Sequence, residues 1–169
     1  MPSVREDGFP EAAAVGHDEA IDALEAALQS LVRLLKQTRL HGYVYDRAHV
    51  DVDQAGVALL SVLAQEEHSL RLTEIAERLR IEAPAVSRKA QLLERSGLVS
   101  RSHDPHDGRA SRFELTAAGH DVVDRVRAAR REWLLTVLAD WPTEARAEFA
   151  RLVRRFTADA RRHLEGLDV

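Results

Sequence analysis

Two runs of residues, 84–96 and 103–109, hold the side chains with the most pointed chemistry. If the first is a helix with Val86, Ala90 and Leu93 turned inward, then Ala85, Ser87, Arg88, Lys89 and Gln91 face outward. Ser87 and Gln91 stand one helical turn apart and can address neighbouring bases. A glutamine amide matches the major-groove edge of adenine, and the Arg88 guanidinium matches guanine or a phosphate. Lys89 suits a phosphate. In the second run Arg109 lies near a turn tip, where a guanidinium fits a narrow minor groove. Asp107 can brace it with a charge-assisted hydrogen bond. His103 and His106 add phosphate donors. Thr73, at the start of an earlier helix, lies where backbone N–H groups meet a phosphate. Together these groups have the chemistry needed to recognise duplex DNA.

The surrounding pattern supplies elements to hold them. Thr73 reads as the N-cap of a helix over 74–80 that buries Ile75, Ala76 and Leu79. Residues 81–83 form a turn. Pro84 opens the next helix, where its missing N–H costs nothing. Gly97 closes that helix at about Ser96 in a left-handed cap. A strand over 69–72 precedes the helix pair. Strands over 98–103 and 111–115, joined by a turn at 104–109, follow it. This order is that of a winged helix-turn-helix: mostly α, with a small β-hairpin wing.

Long helices flank this unit. Ile21, Leu24, Leu28, Leu31 and Leu35 recur at three- and four-residue steps, predicting a helix from Asp18 to about Leu40. Gly42 ends it, residues 43–52 form a connector, and a helix over 53–65 turns Val57, Leu60, Leu63 and Ala64 inward. Thr116 caps a helix to about Asp140 and Pro142 breaks it. A last helix from Thr143 to about Leu164 carries Phe149, Leu152, Val153 and Phe156. With Trp133, Leu134, Val137, Leu138 and Trp141, these apolar stripes exceed what a small winged helix needs for its own core. A second copy of the chain is the economical place to bury them.

The net charge of −4 argues at first against nucleic acid, but its distribution does not. Residues 1–70 hold 5 Lys/Arg against 12 Asp/Glu, whereas residues 84–112 hold 6 against 3. Positive charge is concentrated where a DNA surface needs it. With no cysteine, disulfides, thiolate metal sites and a thiol switch are excluded. The acidic N-terminus is not a signal peptide, and the longest apolar run falls far short of the roughly 18 residues that span a bilayer. A cytoplasmic protein without a membrane partner is expected.

The run LTEIAERLRIEAPAVSRKAQLLERSGLVSRSHDPHDGRASRFELTAAG resembles the core of the MarR (multiple antibiotic resistance regulator) family. The matching features are Val86-Ser87-Arg88, Leu92-Leu93-Glu94-x-x-Gly97-Leu98-Val99, the wing Asp104-Pro105-x-Asp107-Gly108-Arg109, and Leu115-Thr116-x-x-Gly119. The resemblance covers roughly residues 18–165. It implies a homodimer joined through the first and last helices, with Ile21, Leu24, Leu28, Leu138, Phe149, Val153 and Phe156 at the interface. It further implies a repressor on a pseudo-palindromic operator, released by a small molecule that is often aromatic and anionic. In this reading residues 1–17 are a disordered tail and 18–165 a single domain. Segments 18–52 and 117–165 form the dimerisation helices, and 53–116 the winged helix.

Other signals are weaker. Arg39 or His41 could hold an effector carboxylate, and Tyr43 or Tyr45 could stack on its ring, although ordinary connector packing explains each residue alone. The eight histidines have no metal-ligand spacing. No phosphate loop, nucleophile elbow or catalytic triad is present, so neither enzyme activity nor a cofactor is expected. A metal-responsive regulator and a winged helix used for protein interaction are the alternatives.

Overall fold

The computed structural model describes residues 16–36, 38–105, 107 and 110–167, without the side chains of residues 17, 38 and 39. Of the expected tail over 1–17, residues 1–15 lie outside the described residues, and His17 instead opens a helix. The chain divides into two compact units, Met1–Tyr43 and Val44–Val169.

In the first unit, α1 (His17–Leu35) carries Asp18 and Glu19 in its first turn, where the helix dipole favours acid. Its apolar face is open: Ile21, Leu24, Leu31 and Val32 are all exposed. The helix does not reach Leu40, because Lys36 caps it and α2 (Thr38–Ala48) begins afresh. Gly42 therefore lies inside a helix instead of ending one, and most of the expected connector is helical. The signal for this was Val44 and Ala48, spaced four apart and both buried. Two neighbouring turns of polar residues masked it. His49, at φ 51°, ends the turn after α2.

In the second unit, α3 (Gln54–Leu63) follows Asp53, whose carboxylate accepts from Gly56 N–H at 2.9 Å. The strand β1 is only Leu70–Arg71. The helix α4 (Leu72–Leu79) starts one residue earlier than Thr73 implies. Glu74 reaches back to the Arg71 N–H at 2.6 Å, so the N-cap is Arg71 and Thr73 lies exposed at the second position. Next come α5 (Ala83–Arg95), β2 (Val99–His103), β3 (Ser111–Leu115), α6 (Ala117–Val137) and α7 (Thr143–Glu165). The strands form one antiparallel sheet in the order β1-β3-β2, with Leu70 opposite Phe113 and Val99 opposite Leu115.

The core sits among α3, α4, α5, the sheet and the start of α6. Leu59, Leu60, Ile75, Val86, Leu93, Val99, Phe113, Val122 and Val123 form one buried cluster. Each such side chain contributes about 1.5–3 kcal/mol by leaving water. By contrast, none of the described residues of α7 is buried, and Phe149, Leu152, Val153 and Phe156 are exposed.

Candidate nucleic-acid interface

The rotation of α5 follows from what it buries. Val86 and Ala90 are 0% exposed and Leu93 is 3%, so one stripe is locked into the core. The opposite face, with Arg88 and Gln91, is exposed, while Ala85 and Ser87 lie half-buried on its flanks. Pro84 occupies the start of the helix, where backbone N–H groups have no intrahelical acceptor. Gly97 at φ 70° turns the chain from α5 into β2.

Lys89 departs from the expectation. Its Nζ donates to Asp53 Oδ2 at 2.6 Å, and its side chain is only 22% exposed. Asp53 also caps α3, so one carboxylate joins the start of α3 to the middle of α5. The Lys89 hydrogen bond, helped by the Gly56 N–H and opposed by partial burial, holds the Asp53 carboxyl below its ordinary pKa.

The base of the wing is built on Asp104, whose side chain is fully buried. Its Oδ2 accepts from Arg71 Nε at 2.7 Å and from Arg112 Nη1 at 3.0 Å. Its Oδ1 accepts from the Asp107 N–H at 3.1 Å, and its own N–H donates to Ala110 O. The Asp104 carboxylate raises the Arg71 guanidinium further above its already high pKa. Arg112 in turn donates to Ser69 Oγ at 3.0 Å and to Ser69 O. One carboxylate thus ties β1, β3 and the wing loop together. Sequence reasoning read Asp104 only as a turn residue, because strand register is needed to bring Arg71 and Arg112 to it. The wing residues His106 and Arg109 lie outside the described residues; Asp107 and His103 are exposed.

The opposite end of the hairpin is equally constrained. Thr116 N–H donates to Leu98 O at 3.1 Å, its hydroxyl donates to Gly97 O at 2.7 Å, and the same oxygen accepts from Gly119 N–H. A Cβ on Gly119 would meet Leu98 O at 2.1 Å. The Leu115-Thr116-x-x-Gly119 motif is therefore a close approach of α6 to the start of β2.

Residues 50–110 match the model of the MarR family. Over this segment, which is less than half of the chain, it is similar to the MarR family. The HTH-type transcriptional regulator YxaD of Bacillus subtilis is 33% identical over 85 residues, 50% of this chain and 59% of that protein. Over 147 residues, 85% of this chain and 89% of the relative, the HTH-type transcriptional repressor MdtR of the same organism is 26% identical. Among solved structures, a MarR family protein from Bacillus stearothermophilus superposes with a TM-score of 0.75 at 21% identity, covering 86% of this chain and 98% of that one. The named relatives are transcriptional regulators, not enzymes.

The expected effector residues Arg39, His41, Tyr43 and Tyr45 all fall on α2. The Arg39 side chain lies outside the description, and His41 Nε2 is 3.0 Å from Leu35 O. Tyr43 is exposed. In the second unit, burial pushes the half-buried Tyr45 hydroxyl's pKa up, against the pull of Arg130. A groove of about 580 Å³ is lined instead by Arg80, Phe156, Arg161 and Leu164, among others. Among the described residues no His/Asp/Glu cluster could hold a metal ion, and no helix is long and apolar enough to cross a membrane.

Proposed function

We propose that this chain is a sequence-specific DNA-binding transcriptional regulator of the MarR type, working as a homodimeric repressor that a small molecule releases. The observation that carries the reading is the outer face of α5. A core-locked helix presents Arg88 and Gln91 to solvent with Ser87 beside them. That is the donor and acceptor set that reads base edges in the major groove. Leu92 is the one large apolar side chain exposed on this helix, whereas a protein-docking face would expose several.

Dimerisation is supported by the open apolar faces within each unit. In α1 they include Ile21 and Leu24, with Leu28 half-buried. In α7 they include Phe149, Val153 and Phe156, with Leu138 half-buried just before the turn into α7. Stripes this long belong in an interface. Repression is supported by the relative MdtR. An aromatic carboxylate is the effector class that suits the residue types of Arg39, His41 and Tyr43.

The test is a gel-shift with the DNA upstream of the protein's own gene, across a salt series and with a panel of phenolic acids. Binding that weakens steeply with salt, from a particle of twice the chain mass in light scattering, is expected. A monomer, or a response flat in salt, would overturn the reading.

A further inference from the structure

Asp53 and Lys89 form a pair with a consequence for how α5 meets DNA. Lys89 lies between Arg88 and Gln91, the outward residues of α5, and an ammonium beside that face suits a phosphate. In this fold it is engaged elsewhere. Its Nζ lies 2.6 Å from Asp53 Oδ2, and only 22% of its side chain is exposed. The carboxylate is itself held, since Oδ1 accepts from Gly56 N–H at 2.9 Å. A pair with one end fixed by a helix cap needs less side-chain ordering than two free surface chains.

We propose that Asp53 is a specificity-determining residue: it withholds the Lys89 ammonium from the DNA backbone, so that binding depends on base contacts. This rests on the DNA-binding reading above. A phosphate contact holds every sequence alike, whereas base contacts discriminate. Taking one cation out of the phosphate-binding set lowers non-specific affinity more than it lowers discrimination. The acidic Asp53 at the start of α3 adds repulsion toward phosphate in the same sense.

The test compares two duplexes of equal length and composition: one selected from a randomised library by the wild-type protein, the other its scrambled counterpart. Asn and Ser both cap helices, so Asp53→Asn and Asp53→Ser keep the start of α3 while freeing Lys89. Either variant should bind the scrambled duplex roughly fivefold more tightly, with a salt slope steeper by about 0.9. The ratio of selected to scrambled affinity should fall. In a Lys89→Gln background Asp53→Asn should give no such gain. Unchanged or weaker scrambled binding in both variants overturns the proposal. So does an equal gain in the Lys89→Gln background, which would make Asp53 merely a repelling charge. Failure of the wild type to bind either duplex defeats the DNA-binding reading itself, and the inference with it.

Discussion

Arg71 Nε donates to Asp104 Oδ2 at 2.7 Å, joining the residue that caps α4 to the residue that opens the wing, 33 positions further along. The same oxygen receives Arg112, so two cations converge on one buried carboxylate. The wing is therefore anchored to the helix-turn-helix by charge as well as by strand pairing.

Asp104→Ala removes the acceptor and leaves both guanidinium groups without it. Only the carboxylate is buried, while Arg71 and Arg112 keep 39% and 23% of their side chains exposed, so a loss of about 1–3 kcal/mol is expected in urea unfolding. A loss below about 1 kcal/mol would show that the network contributes little.

Gly119 and Gly42 make opposite predictions for the same substitution. A Cβ at Gly119 meets the Leu98 carbonyl at 2.1 Å, so Gly119→Ala should destabilise by about 2–3 kcal/mol. A Cβ at Gly42, inside α2, meets nothing within 4 Å, so Gly42→Ala should stabilise by about 1 kcal/mol. Thermal melts of the two variants should move in opposite directions; a shared direction contradicts the geometry.

Arg109→Ala and Gln91→Ala should separate two modes of DNA contact. If Arg109 enters a minor groove, its loss should weaken binding by about tenfold or more with the dimer intact. Gln91→Ala should reduce the preference for the selected duplex by about 1–3 kcal/mol while scarcely changing non-specific binding. Equal losses on all sequences would make Gln91 a backbone contact.

Asp53 predicts an acid-limb effect on stability. Its folded-state pKa is depressed, chiefly by Lys89, so its contribution is present above the ordinary aspartate value of 3.8 and is lost as the pH falls from there through the lower folded-state value. Asp53→Asn should therefore lose less stability than the wild type as the pH is lowered below about 4. Parallel stability curves for the two proteins would rule this out.

Local pattern carried much of the fold and of the candidate site. Helical spacing of Val86, Ala90 and Leu93 was enough to orient α5, because a rigid helix with one apolar stripe has only one way to face a core. Gly97 was legible as a turn residue because a positive φ favours glycine. The start of α2 was not legible. Its support comes from the burial of Val44 and Ala48, and its own sequence, with a glycine at its centre, has little intrinsic preference for helix.

By itself the sequence determined the order of elements, the inward stripe of α5, the polar residues opposite it, and where positive charge collects. Each depends on neighbours within a few residues, where periodicity and capping chemistry decide. Only the tertiary structure decided that Lys89 is held by Asp53, that Asp104 anchors the wing through Arg71 and Arg112, and that Gly119 must have no side chain. Those outcomes depend on the packing of α3 against α5, the register of β1 on β3, and the approach of α6 to Leu98. Electrostatic and steric contacts act over a few ångströms in space, and separation along the chain does not reveal which groups will come that close.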